Sequence, residues 1–330
     1  MSKLKKIRYS GARHGSFDDE WGIHKNCSEW WYATGYFHDI SEKLYSYQIT
    51  LLRIKLLFLR PYVVMLALTD FDNKKHYYYQ DITLSDKKAA IDEAGVRFGN
   101  AVIVKKSMEH MRLSAWREDF GFDLTLDYGK GAVWHCDNGL LRMGINKPQH
   151  TTVYYSYTNM PTNGAIMLNG ESKTVTGKSW FDKQGGTYDI KNRQCMWEWF
   201  SLRFFDDEEI MLFSFPQSDY QDGTYIRADG SYQRLTGYTI TPERFVYPDG
   251  KTKYSAQWNI FLRGIKDERY TVTPIMEGQM NMGYYELLAD INNAEGRRVG
   301  LCFAELLPGV YNKKYPTTIF SKSKDFAFMQ

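Results

Sequence analysis

Asp182 and Glu198 are the carboxylates that the sequence places best for chemistry, because three tryptophans, Trp180, Trp197 and Trp199, stand beside them. Side chains on a strand alternate between two faces. A strand over 196–205 would put Met196, Glu198, Phe200, Leu202 and Phe204 on one face and Trp197, Trp199, Ser201 and Arg203 on the other. If the Met/Phe/Leu face is the core, burial favours the protonated form of Glu198, which is what a general acid needs. The bland alternative is a structural glutamate bonded to backbone groups or an arginine. Lys183, next to Asp182, is either a hydrogen-bond donor to a substrate carbonyl or a solvated lysine at a turn beside Gly185-Gly186.

Three chemistries suit these residues. Hydration of an alkene needs an acid to protonate carbon, a shielded cation and a directed water. Asp182 or Glu198 would be the acid, Trp180, Trp197, Trp199, Tyr155 and Tyr157 would face the cation, and Trp31 is a further substrate-binding candidate. Ring closure of a polyene needs a mould for the chain and a donor such as Lys183, Tyr155 or Trp180. Simple binding of an apolar ligand needs only shape and a few polar groups. Each aromatic has the alternative of being plain core. Glu29, Glu286 and Glu305 also fall on expected strands. Arg53 stands where it can pair a buried acid, so buried Glu–Arg pairing is the preferred reading of these glutamates, with substrate contact at Glu286 and Glu305 as the functional one.

Strands must position these groups. Tyr, Phe, Trp, Val, Ile and Thr suit strands, and 16% of the chain is aromatic with 25 Tyr and only 9 Pro. Strand signals fall at 30–38, 44–54, 62–69, 76–83, 122–126, 152–158, 165–168 and 172–180. They continue at 196–205, 210–215, 224–227, 232–240, 254–261, 269–274, 283–291 and 300–306. Asn163-Gly164, Asn169-Gly170, Asp229-Gly230 and Asp249-Gly250 read as turns, because such pairs supply positive φ. Helix is sparse: residues 86–94 with Ser85 as N-cap, and a possible tail at the end of the chain. Glu29-Trp30-Trp31-Tyr32 and Trp197-Glu198-Trp199-Phe200 each open a strand followed by an apolar hairpin, a faint internal repeat. It divides the chain near 185–192, giving domains 1–188 and 189–330.

Composition sets the class. With 330 residues, 43% hydrophobic and 25% charged, the chain can bury a real core. A net charge of +3 argues against a nucleic-acid partner. Lys3, Lys5, Lys6 and Arg8 are followed by no apolar run, so no export signal is read. The most apolar window, 49–68, contains Arg53, Lys55, Arg60 and Pro61, which fits two strands and a turn better than an integral membrane segment. Four widely spaced cysteines suggest free thiols and a cytoplasmic protein. Seven histidines form no ligand motif, so no metal or other cofactor is expected. Nothing in the sequence speaks to oligomeric state.

Several segments together resemble the AttH-like/carotenoid 1,2-hydratase family of double lipocalin-like proteins. They are Ser28-Glu29-Trp30-Trp31-Tyr32, Tyr47-Gln48-Ile49-Thr50-Leu51-Leu52-Arg53, Ala67-Leu68-Thr69-Asp70, Asp137-Asn138-Gly139 and Tyr154-Tyr155-Ser156. Gly177-Lys178-Ser179-Trp180-Phe181-Asp182, Trp197-Glu198-Trp199-Phe200, Tyr284-Tyr285-Glu286 and Gly300-Leu301-Cys302-Phe303-Ala304-Glu305-Leu306 complete the ordered set. The resemblance implies an all-β protein of two tandem lipocalin-like β-barrel domains with little helix and a pocket for a large, unsaturated, apolar small molecule. The family's activities include hydrating carotenoid or prenyl alkenes and closing rings on polyenes. Fold alone does not choose among them. Lys183 stands where the family's Trp-x-Asp motif is usually followed by His, and Glu198 replaces an Asp. Lysine is a weaker proton shuttle than histidine but a good donor.

Overall fold

The computed structural model describes residues 7–9, 11–13, 15–56, 59–105, 110–189, 191–266, 269–281 and 283–312. Nearly all of its regular structure is strand. The helical pieces are Phe17–Trp21, which begins with a capping box between Ser16 and Asp19, and the single 3₁₀ turn Arg193–Cys195. No described helix is long and apolar enough to cross a membrane. Two compact units are present. The first holds Met1–Trp134 and Thr151–Thr187, and the second holds His135–His150 and Tyr188–Gln330. The segment His135–His150, which a single boundary at 188 would leave with the first domain, thus groups with the second unit.

In the first unit Ser28–Asp39 pairs on one side with Leu44–Arg53 and on the other with Glu171–Thr187. From Leu44–Arg53 the antiparallel sheet runs through Tyr62–Asp70 to an edge at Lys75–Thr83. In the other direction it runs through Thr151–Leu168, Phe120–Asp127, His110–Trp116, Ala101–Lys105 and Gly95–Phe98 to Ala89–Ile91. The sheet curls, so one face lines an interior. Trp31, Phe37, Tyr47, Leu66, Phe98 and Phe122 point into it and are buried. Gly35 is required there: a Cβ would lie 2.6 Å from the Tyr47 ring and 2.7 Å from the Lys178 carbonyl oxygen.

The second unit repeats the plan. Glu198–Phe204 lies between Glu209–Phe215 and Arg298–Leu306. The sheet runs on through Tyr220–Ile226 to Tyr232–Leu235 at one end. At the other it runs through Tyr284–Asn292, Arg269–Pro274 and Tyr254–Leu262 to Tyr238–Val246. Its interior is one apolar core to which Phe200, Leu212, Tyr238, Trp258, Leu287 and Ala304 contribute. The Tyr238 hydroxyl donates to the carbonyls of Phe213 and Asp222, tying the last strand back to the first hairpin. The two curled, barrel-like sheets agree with the tandem lipocalin-like expectation.

Some local expectations are corrected. Residues 86–94 are not a helix: one turn anchored on Ser85 gives way to strand Ala89–Ile91, which pairs with Gly95–Phe98. A run this short gains little as a helix and more as a strand edge. The strands between 89 and 116 went unread because their apolar runs are short. Asn163-Gly164 is not a turn but lies inside the 18-residue strand Thr151–Leu168. Gly164 serves close strand approach instead, since a Cβ would meet the Asp123 carbonyl at 2.2 Å. Asn169-Gly170 is the actual turn, with φ of 50° and 85°. Lys3, Lys5, Lys6 and the helical tail fall outside the described residues.

Gly35→Ala is expected to destabilise the protein by about 1–3 kcal/mol, because neither the Lys178 backbone nor the stacked Tyr47 ring has room to give. Urea denaturation against wild type measures this, and Gly237→Ala, whose Cβ would meet nothing nearer than 3.7 Å, is the control.

Candidate functional site

Inside the first unit, Glu29 is completely buried. Lys183 Nζ lies 3.1 Å from one of its carboxylate oxygens and Arg53 3.4 Å from the other. His24 adds its ring Nδ1 at 3.2 Å and its backbone N–H at 3.1 Å. The second ring nitrogen of His24 is 3.2 Å from Glu20. Burial alone would raise the Glu29 pKa, but the Lys183 charge, the His24 bond and the Arg53 charge outweigh it and hold Glu29 below the usual carboxylate range. Burial would lower His24, yet its bonds to Glu20 and Glu29 raise it. A buried charge persists where it is paired and hydrogen-bonded, and this cluster meets that condition.

Lys183 is therefore not a solvated turn lysine. It sits in the strand Glu171–Thr187, 2% exposed, with its ammonium 4.5 Å from the centre of the Trp31 ring. Trp31, Lys183, Tyr155 and Tyr157 share the interior face. The short helix packs on the same aromatic group, Trp21 stacking on Phe181 at 5.7 Å and Phe17 on Trp134 at 4.4 Å. Asp182 and Trp180 face the other way. Asp182 Oδ1 accepts from Trp180 Nε1 at 2.5 Å and from the Ser156 hydroxyl.

The second unit treats its acids differently. Glu198 shares the core face with Phe200, Leu202 and Phe204 and is 1% exposed. The Ser255 hydroxyl and the Tyr311 hydroxyl, the latter at 3.1 Å, donate to it. Strand register explains why no cation among the described residues pairs with it. Glu29 pairs with Arg53 where Glu198 pairs with Ser214, and Lys183, opposite Trp31, corresponds to Ala304, opposite Phe200. Burial, only partly offset by the two hydroxyls, pushes Glu198 up to about 7.

On the opposite face of that sheet, Glu286 and Glu305 are direct cross-strand partners. The preferred Glu–Arg reading holds for Glu29 with Arg53 but not here: these two carboxyls meet each other. Trp197 Nε1 donates to Glu305 at 2.8 Å, and the Asn281 amide donates to Glu286. Trp199 is the cross-strand neighbour of Glu305. Tyr188 and Phe213 pack edge-on against Trp197 at 6.0 and 6.1 Å. Burial raises both acids, and the charge of Glu305 pushes Glu286 up further. Two adjacent desolvated carboxyls resist ionising together, so the pair keeps at least one proton. Glu286 is buried, while Glu305 keeps part of its surface open. The fold thus gathers Trp197, Trp199, Glu286 and Glu305 into one constellation.

Two curled sheets, each pairing its first long strand with its last and each carrying buried acids, define a tandem lipocalin-like protein. The sequence profile of the AttH-like family matches residues 9–309, and the chain belongs to that family. An AttH protein of Nitrosomonas europaea superposes with a TM-score of 0.81 at 22% identity, over 93% of this chain and 100% of that one. Kievitone hydratase from Nectria haematococca gives 0.70 at 18%, over 92% and 98%. CghA, solved with Sch210972, gives 0.53 at 8%, over 92% and 96%. At these identities the likeness is one of fold. No curated protein matched the sequence.

His24, Glu20, Ser156, Ser255, Tyr311 and Asn281 were not singled out from sequence. Only the Ser16-x-x-Asp19 capping box ahead of Glu20 carried a readable signal. Ser156, Ser255 and Tyr311 meet their partners across separate segments of the chain, while His24 and Asn281 meet theirs within five residues through a turn that carries no sequence motif.

Two outcomes follow from the electrostatics. Lys183→Met is expected to cost about 3–5 kcal/mol by unbalancing a buried charge cluster, and adding Glu29→Gln should recover part of that loss in urea denaturation. For Glu198 the folded pKa lies above the unfolded one, so its contribution is full below about 4.5, is lost as pH rises to about 7, and is flat beyond. Glu198→Gln removes this loss, so relative to wild type the variant should gain up to about 3 kcal/mol between pH 4.5 and 8, read from urea midpoints at both ends.

Proposed function

We propose that the protein is a cofactor-independent hydro-lyase that adds water across an alkene of a large, unsaturated, apolar molecule of the terpenoid, carotenoid or polyketide kind. Membership of the AttH-like family and the fold shared with kievitone hydratase support the reaction class. The observation that carries the reading is the Glu286–Glu305 pair, a proton-retaining acid flanked by Trp197 and Trp199. Glu305, the more open of the two, gives its proton to an alkene carbon. The cation left on the neighbouring carbon is faced by indole rings. Water attacks that carbon, and its released proton returns to the carboxylate left on the pair, so the catalyst is regenerated and H and OH have been added. Four free cysteines support a reducing, cytoplasmic setting.

Native mass spectrometry of the purified protein identifies any retained molecule. Incubation of candidate polyenes and prenylated compounds in ¹⁸O-labelled water then reads the reaction. The expected product gains one labelled water. Glu305→Gln is expected to lower kcat by about 10²–10⁴, while Asp182→Asn and Glu198→Gln, the rival acid–base pair, retain most of it. The wild-type rate should fall as pH rises above about 7, where Glu305 loses its proton. A product of unchanged mass would mean cyclisation, with Lys183 and Tyr155 tested next as donors. A ligand recovered unaltered would mean binding without turnover.

A further inference from the structure

The first unit's sheet does not close by hydrogen bonds. Its edges are Lys75–Thr83 and Ala89–Ile91, and between the former and the neighbouring strands Gly95–Phe98 and Ala101–Lys105 lies a cleft of about 300 Å³. Its apolar walls are Val64, Leu66, Phe98 and Ala101, all buried residues. Tyr79 and Asp81 reach the same side, as the cross-strand partners of Leu66 and Val64. Lys88 and Asp81 neutralise each other at the rim, with 2.5 Å between them. Phe98 also walls a small void of about 10 Å³ that continues inward to Leu51 and Trp31. Phe98 thus stands between the cleft and the void.

Arg117 lines this cleft. Its guanidinium lies 3.6 Å from the centre of the Tyr79 ring. It also lines a second, open cleft of about 540 Å³ that shares Tyr79 as a wall. Among the described residues it has no carboxylate within ion-pair distance. Stacking on an aromatic face holds a guanidinium in one orientation and leaves its edge donors free, and that fork matches a carboxylate with two parallel hydrogen bonds. A half-buried, stacked and unpaired arginine above an apolar slot is built for a ligand with one anionic end and one hydrocarbon end. Such a slot lies at the small end of ligand-pocket sizes.

We propose that this seam binds a monocarboxylate amphiphile of medium chain length. Its carboxylate sits on Arg117, and its chain lies over Val64, Leu66, Phe98 and Ala101. The site is independent of the Glu286–Glu305 acid pair and needs no turnover. Titration calorimetry of the full chain with decanoate, and with decanol as the uncharged probe, tests it below the concentration at which either aggregates. Wild type is expected to bind decanoate saturably and at least tenfold more tightly than decanol. Arg117→Gln should bring decanoate down to the decanol level and leave decanol unchanged, while Arg117→Lys retains part of the preference. Ala101→Trp, which fills the slot, should abolish both. Circular dichroism and thermal unfolding establish that each variant is folded. If Ala101→Trp does not fold, the Arg117 variants decide alone. The proposal is overturned if wild type shows no saturable binding, if decanoate and decanol bind equally, or if Arg117→Gln binds decanoate as wild type does.

Discussion

Each curled sheet pairs its first long strand with its last at its middle, and that pairing brings a buried glutamate, Glu29 or Glu198, to the same place in the fold. A carboxyl group there must either be surrounded by cations or keep its proton, because an isolated charge away from water is too costly. The first unit takes the former course with Lys183, Arg53 and His24. The second has Ala304 and Ser214 at the matching positions, so Glu198 meets hydroxyls and holds its proton to about 7. Even the backbone conforms. A Cβ on Gly185 would lie 2.7 Å from that of Glu29, so glycine is required opposite the acid.

The same pairing in the second unit sets Glu305 beside Trp199 on one side and Glu286 on the other. Burial, and for Glu286 the charge of its neighbour, keeps a proton on this pair near neutral pH, against the amide and indole donors that favour ionisation. A carboxyl held protonated near neutral pH beside a second one can give a proton and take one back. Under the hydration we propose, that pair supplies the acid, and the first unit's charge cluster serves structure. Lys183, standing where the family's histidine is expected, fits that division. Its ammonium is held by Glu29 and by the Trp31 face.

Much of the architecture was legible in the sequence, since the strand period, the repeated acid-and-tryptophan openings and the ordered family segments all point to two β-barrels. The placement of Met196, Glu198, Phe200, Leu202 and Phe204 on one face was legible for the same reason, as alternation is a local property of the chain. Where local signals competed they misled. Ser85 does anchor a turn, but pairing with Gly95–Phe98 overrides the helix. Asn163-Gly164 carries hairpin chemistry yet lies within a strand, because the glycine is needed for close approach to Asp123.

What the sequence determined by itself is therefore most of the longer strands and which side chains share a face, both consequences of near-neighbour sterics and hydrophobic period. What only the tertiary structure decided is who meets whom: Glu29 with Lys183 across 154 positions, Glu198 with Ser255 across 57, and Glu286 with Glu305. Those meetings set which acids are charged and which are protonated. They depend on strand register and sheet order, long-range properties that no local pattern encodes.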